Sequence, residues 1–221
     1  MVVGRGGSPF ASLSLSLSLL HPPSPLPPLL PPSPFFSLAA NVITPTTKAA
    51  DHDAPISSAE ILARGLMTAA QWEEASASAL ALFAFGQATA ADRGLLLVDT
   101  KYEFGVHPAT GRVVLVDEVH TPDSSRYWLA DTYADRAAAV QEPQSIDKEF
   151  VRLWVRARCD PYGGGPIPAP PPALVAELAR RYITLYERIT GRAFEPSAPG
   201  GDANERMRAS VTAELDRMDG K

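Results

Sequence analysis

Apolar and polar positions along this chain follow two periods, and each marks out a group of elements. From Thr68 to about Asp92, the residues Trp72, Ala75, Ala79, Phe83 and Gly86 recur at spacings of three and four. That is the buried stripe of a helix. Thr68 with Gln71 three residues on forms a capping box, and Gly94 stands where a helix stops. Small residues dominate the stripe, so this helix is expected to pack close to a sheet. After Gly94 the period changes to two. Leu95 to Gly105 and Arg112 to His120 read as strands joined by a turn at His107 to Gly111.

The same rules place further elements. A short helix runs from about Ser58 to Arg64 and stops at Gly65. Another begins at Asp147-Lys148 with apolar Phe150, Val151, Trp154 and Val155. A third spans Leu174 to Thr190, with Leu174, Leu178, Tyr182, Leu185 and Ile189 on one side and Gly191 at its end. Arg206 to Met218 forms a weaker amphipathic helix through Met207, Val211 and Leu215, suited to docking on a partner. Asp131 to Gln144 reads as a polar connection without period, and Cys159 to Pro172 as a Gly/Pro-rich loop. The triple glycine at 163–165 follows a helix and precedes prolines, so it is not a phosphate cradle.

Residues 1–40 differ from the rest. They hold nine of the 22 prolines, no acidic residue and one charge, Arg5. Ser12 to Leu19 alternates Ser and Leu, which suits a strand, but the prolines from Pro22 to Pro34 cannot supply its partner. Disorder with polyproline II character is the expectation. Three origins compete: a secretory signal, an organelle transit segment, and translated non-coding sequence from a CT-repeat tract, which is favoured.

Composition narrows the classes. Net charge is −5, from 20 Lys and Arg against 25 Asp and Glu, so no strongly basic surface points to nucleic acid. The single cysteine, Cys159, excludes an internal disulfide, and no Cys/His cluster has zinc spacing. No stretch approaches the roughly 20 apolar residues needed to span a bilayer.

The strands carry the chemistry. A period of two puts Asp99, Lys101 and Glu103 on one face, while Asp117 and Glu118 follow the apolar run Val113 to Val116. If Glu103 and Asp117 face each other, two carboxylates converge beside a lysine, a donor set suited to Mg2+. The alternative is the solvated face of an ordinary hairpin.

Asp99-Thr-Lys-Tyr-Glu-Phe-Gly105 followed by Val116-Asp-Glu-Val-His-Thr-Pro-Asp-Ser-Ser-Arg-Tyr-Trp128 closely resembles the paired signatures of the phosphoribosylaminoimidazole-succinocarboxamide synthases, the SAICAR synthetases. Thr44-Pro-Thr-Thr-Lys48 with His52-Asp53, Glu142-Pro-Gln-Ser-Ile-Asp-Lys148 with Arg152, and Arg181 to Gly191 extend the likeness over about residues 41–196. The resemblance implies an α+β fold, the C-terminal lobe of an ATP-grasp- or kinase-like enzyme with an antiparallel sheet flanked by helices. The family's N-terminal ATP-binding lobe has no counterpart here, so it is expected to be missing. Residues 1–40 are then an unrelated leader, 41–196 the catalytic lobe and 197–221 a polar tail.

By resemblance, the activity is ATP-dependent joining of L-aspartate to 5-amino-1-(5-phosphoribosyl)imidazole-4-carboxylate, giving SAICAR, ADP and phosphate in purine (IMP) biosynthesis. The chain alone is expected to be weak or inactive. Glu103 and Asp117 match the positions that hold Mg2+ on ATP, with Lys48 near the nucleotide phosphate and Asp53 near the metal or the amino-acid substrate. Lys101 and Asp99 are the catalytic candidates. Asp123, Ser124, Ser125, Arg126, Lys148 and Arg152 are the substrate-binding ones. Tyr127 and Trp128 are expected to be packing. A non-catalytic remnant acting only through interactions is the alternative, and a kinase-like phosphotransferase a third reading. The expected partners are the three small-molecule substrates, with no nucleic acid and no membrane and with homo-oligomerisation left open. The expected location is the cytoplasm, or a plastid if the leader is a transit segment.

Overall fold

The computed structural model describes residues 11–16, 40–47, 54–161, 163–196, 202–218 and 220. Its centre is an antiparallel sheet built on one long strand, β4 (Leu95–Val106). Along one edge β4 pairs with β1 (Ala11–Ser16), which pairs in turn with β2 (Val42–Thr47) and then β3 (Ala54–Pro55). Its other edge is shared by β5 (Val113–Leu115) and β6 (Ser125–Leu129).

β4 does not keep a plain period of two. Leu95 and Leu97 are buried, and so are Thr100, Tyr102 and Phe104, which stand on the other parity. The register against β6 slips between Leu97 and Asp99. A β-bulge adds one residue there, so alternation restarts with inverted sense. If the same residues paired without a bulge, Asp99, Lys101 and Glu103 would continue the face of Leu95 and Leu97 into the core. With it, Thr100, Tyr102 and Phe104 join the core.

The helix laid over this face is α2 (Ala69–Ala91), which follows the short α1 (Ser58–Ala63). Both open on complete capping boxes, Ser57 with Glu60 and Thr68 with Gln71. The stripe expected for α2 is the one that packs, since Ala75, Ala79, Phe83 and Gly86 are buried together with Ala90. Close approach is compulsory at Gly86, where a Cβ would lie 2.4 Å from His120 Cε1 and 2.7 Å from Leu97 Cδ2.

The remaining helices are α3 (Ala130–Ala138), α4 (Glu149–Arg156), α5 (Pro172–Thr190) and α6 (Ala203–Met218). Gly191 ends α5 at φ 68°, a conformation that glycine adopts without a Cβ clash.

The fold departs from the sequence expectations in four places. Residues 11–16 lie in a strand, contrary to the disorder expected across 1–40. The proline run does not have to partner it, because β2 and β4 do. The second hairpin strand ends at Leu115, well short of His120, because the chain leaves the ladder after Val116 N donates to Glu103 O at 2.9 Å. Ser125–Leu129 is a strand, which gives Arg126 a fixed position against β4. Asp131 to Gln144 is not a uniform connection, because α3 occupies its first part. Asp131 in the first turn and Arg136 in the last favour that helix through its dipole.

Candidate functional site

The β4–β6 register builds the site. It sets Asp99 opposite Arg126 and Thr100 opposite Ser125. One pair faces out and the other in. Arg126 donates from Nε to both Asp99 carboxylate oxygens, at 3.0 and 2.8 Å, and from Nη2 to Oδ2. This fork fixes the guanidinium plane without using Nη1. The Asp99 carboxylate, ahead of the opposing effect of burial, raises the pKa of Arg126. On the inner face the Thr100 and Ser125 hydroxyls are hydrogen-bonded at 2.8 Å.

The loop before β6 is held at several points. Lys101 N donates to Ser124 O at 2.9 Å, Ser125 N to Thr121 O at 3.0 Å, and the Tyr127 hydroxyl to His120 O at 2.8 Å. His120 itself sits at φ 57°, with Nε2 hydrogen-bonded to the buried Tyr102 hydroxyl. Burial lowers the His120 pKa, so the neutral ring is favoured.

Asp123 and Lys148 meet across elements. Lys148 Nζ donates to Asp123 Oδ1 at 3.0 Å, and the Tyr182 hydroxyl of α5 reaches the same oxygen at 2.8 Å. The Tyr182 bond first, and Lys148 after it, hold the Asp123 carboxyl below its usual range. Asp147, 1% exposed, accepts from Tyr127 N at 3.3 Å and Glu149 N at 2.8 Å. Burial nevertheless raises its pKa.

Together these residues line a cleft of about 340 Å³ whose walls include Asp99, Lys101, Asp123, Ser124, Ser125, Arg126, Lys148 and Arg152. Every catalytic or substrate-binding residue expected from the sequence is therefore in one place. Lys148 and Arg152 line it together, and Arg152 also pairs with Glu149 at 3.0 Å. Each of the four cationic side chains is ion-paired with a carboxylate, Lys101 with Glu103, Arg126 with Asp99, Lys148 with Asp123 and Arg152 with Glu149. The cleft therefore holds ammonium and guanidinium donors in fixed positions, a chemistry suited to an oxygen-rich anion. A larger cavity of about 660 Å³ adjoins it through Arg126, Asp147 and Glu149 and runs along α4 and α5.

The nucleotide end is less complete. Lys48 and Asp53 lie outside the described residues. Glu103 is 7% exposed and ion-paired with Lys101 at 3.1 Å. Asp117 is exposed and accepts from Glu118 N at 2.8 Å. The two do not face each other as the hairpin pattern had them. The ladder sets Leu115 opposite Phe104, and so Val116 opposite Glu103, with Asp117 one residue further along. Among the described residues no group of three or more acidic, His or Cys side chains converges as a metal cage.

Sequence reasoning missed Tyr182 and the buried Asp147. Tyr182 was assigned to the apolar stripe of α5, and its partner is 59 residues away, so no local spacing reports the contact. Tyr127 is core, as expected, at 1% exposed, and Trp128 stacks on Tyr133 with centroids 5.5 Å apart.

Comparison with known proteins gives the same direction. The family model described as SAICAR synthetase matches residues 33–166. A putative phosphoribosylaminoimidazole-succinocarboxamide synthase 2 of Mesorhizobium japonicum is 55% identical over 176 residues, covering 79% of this chain and 56% of that protein. The chloroplastic phosphoribosylaminoimidazole-succinocarboxamide synthase of Arabidopsis thaliana is 58% identical over 154 residues, 70% of this chain and 37% of that one. Thus the chain spans about half the length, or less, of these curated relatives. Among solved structures, the Saccharomyces cerevisiae SAICAR synthase complexed with SAICAR superposes with a TM-score of 0.61 at 26% identity, covering 85% of this chain and 62% of that one.

Proposed function

The chain belongs to the SAICAR synthetase family, and on that premise we propose that it carries the acceptor-binding part of an ATP-dependent ligase of purine biosynthesis. The reaction is the joining of L-aspartate to 5-amino-1-(5-phosphoribosyl)imidazole-4-carboxylate. The carboxylate oxygen takes the γ-phosphoryl group of ATP, releasing ADP. The aspartate amine then attacks the acyl carbon, forms the C–N bond, loses a proton and expels phosphate. A carboxylate is a poor electrophile, and phosphorylation supplies the leaving group it lacks.

The observation that carries this reading is the convergence of Lys101, Arg126, Lys148 and Arg152 on one cleft floored by Ser124 and Ser125. Arg126, Ser124 and Arg152 hold the ribotide phosphate, while the Ser125 side chain, expected from the sequence to join them, is turned inward to Thr100. Asp123, kept ionised by Tyr182 and Lys148, accepts from the ribose or amine of the same molecule. Asp99 fixes Arg126, and Lys101 offsets charge that develops on the carboxylate as it is phosphorylated.

Mg2+ usually keeps one or two protein carboxylates and takes phosphate oxygens and water for the rest. Glu103 and Asp117, expected from the sequence to hold it, stand one step out of register and do not face each other, so as a pair they do not fit the ion and no step is routed through it. Lys48 and Asp53 complete the nucleotide end in this proposal. A fold neighbour at 23% identity and TM-score 0.58 was solved in complex with ADP. For location, the plastid alternative gains support from two plant relatives named chloroplastic, those of Arabidopsis thaliana and Vigna aconitifolia. No described helix is long and apolar enough to cross a membrane.

The experiment is isothermal titration of the chain with the imidazole ribotide, followed by assay of product from ribotide, ATP and L-aspartate. Arg126→Ala and Lys148→Ala should each weaken ribotide binding at least tenfold, the loss of one charged hydrogen-bond partner of about 1.5–3 kcal/mol. Ribotide binding that is undetectable in the unaltered chain, or indifferent to both substitutions, rejects the assignment.

A further inference from the structure

The loop that presents Asp123 and Ser124 is organised by Thr121. The Thr121 hydroxyl accepts from Asp123 N and from Ser124 N, each at 3.3 Å, and its carbonyl accepts from Ser125 N at 3.0 Å. Thr121 is placed in turn by its neighbour, His120. With φ at 57°, His120 stands in the left-handed region that few residues other than glycine adopt. That turn carries the peptide on toward the cleft and sends the imidazole the other way.

Three elements hold His120. Its Nε2 is hydrogen-bonded to the Tyr102 hydroxyl of β4, and the two rings meet edge to face with centroids 5.6 Å apart. α2 meets the imidazole at Gly86, where even a methyl group would overlap it. From β6 the Tyr127 hydroxyl donates to His120 O at 2.8 Å.

This seat suits a neutral ring. Tyr102 and Tyr127 are the titratable groups that face His120 from β4 and β6, and α2 offers only Gly86. Within the loop, the Glu118 side chain is exposed and accepts from the Thr121 hydroxyl. Burial pushes both phenols up, Tyr127 to about 12, so they stay protonated and uncharged. Among the described residues no carboxylate pairs with the imidazole. An imidazolium would sit half-buried without an opposite charge, and burial accordingly lowers the pKa of the ring.

We propose that His120 is a positioning residue of the cleft, whose seated ring holds Thr121, and through it Asp123 and Ser124, only while the ring is uncharged. Mild acid then releases the loop. The sign follows from the lowered folded-state value: the contribution is present above the ordinary histidine pKa of about 6.5 and is lost as pH falls through the folded one. The consequence for binding rests on the reading of the cleft as the ribotide site, and the consequence for the loop does not.

The test is an NMR titration of the full chain that follows the His120 ring and the backbone amides of Thr121, Asp123 and Ser124 together. The three amides should shift with the midpoint of the ring. In His120→Gln, whose uncharged amide can still meet the Tyr102 hydroxyl, that step should be absent. Tyr102→Phe keeps the ring packing and removes the hydroxyl, so it should shift the same amides at neutral pH while the thermal transition stays cooperative. Amides that ignore ionisation of the ring overturn the proposal, and so does a ring that stays neutral until the chain unfolds. Isothermal titration reads the consequence, a ribotide affinity that falls through the ring's midpoint in the unaltered chain and falls less in His120→Gln. Protonation of the ribotide phosphate is common to both chains, so the difference belongs to His120. Equal pH profiles overturn the proposal. Ribotide that binds neither chain rejects instead the function proposed for the cleft, a failure that the loop signals tell apart.

Discussion

Single residues in this protein act mainly by fixing how near two elements come. Gly86 lets α2 lie against His120 and Leu97, and His120 in turn holds the loop that presents Asp123 and Ser124. Gly86→Ala should therefore lower the melting temperature through overpacking worth about 1–3 kcal/mol, whereas Ala79→Gly, which loses only a methyl, should cost about 1 kcal/mol. Tyr182 acts through charge. Its hydroxyl is the largest cause of the depressed Asp123 pKa, and Tyr182→Phe should move that carboxyl back toward the ordinary range in a carboxyl-carbon NMR titration. The sign for stability follows from the lowered folded-state value: the contribution is present above the unfolded pKa and is lost as pH falls through the folded one. Glu177, held at about 2 by Arg180 and then Arg181, behaves likewise. Acid melting of Glu177→Gln should therefore be flatter between about pH 4 and pH 2 than that of the unaltered chain. An Asp123 pKa that is unchanged in Tyr182→Phe would contradict the assignment.

At the scale of elements, local chemistry and tertiary register share the work. The capping box of α2 is local, so Thr68→Ala should destabilise by about 1 kcal/mol, measurable by urea unfolding. The bulge in β4 is not local. It lets Leu95 and Leu97 share the core with Tyr102 and Phe104 while Asp99, Lys101 and Glu103 stay on the functional side. Deleting Val98 removes the unpaired residue and leaves plain alternation with those three charges still outward, so the variant should keep a cooperative thermal transition. Loss of that transition would show that the bulge does more than keep the two halves of β4 in phase. β6 has the same dependence. The sequence pattern assigns its five residues to no element, and only their pairing with β4 makes Arg126 and Ser125 alternate outward and inward.

For the whole molecule, the sheet depends on β1, because β1 is the only described strand that joins β2 and β3 to β4. A chain starting at Asn41 should lose its cooperative thermal transition and expose the edge of β4, with aggregation on heating. Retention of a sharp transition would mean that β2 and β4 find another way to pair. The chain by itself determined a good deal here: the stripe and caps of α2, the end of α5 at Gly191, the charged face of β4, and the motif that groups Asp99 with Asp123 to Arg126. These are legible because they follow from neighbours within a few residues, through helical or pleated period, capping and turn chemistry. Only the folded arrangement decided the rest. It put a strand at Ala11–Ser16, stepped Asp117 out of line with Glu103, brought Tyr182 to Asp123 and buried Asp147 beneath the cleft. Each of these depends on which distant segment occupies the adjoining ladder or helix face. A one-residue change of register moves a side chain to the other face, and no local pattern records that choice.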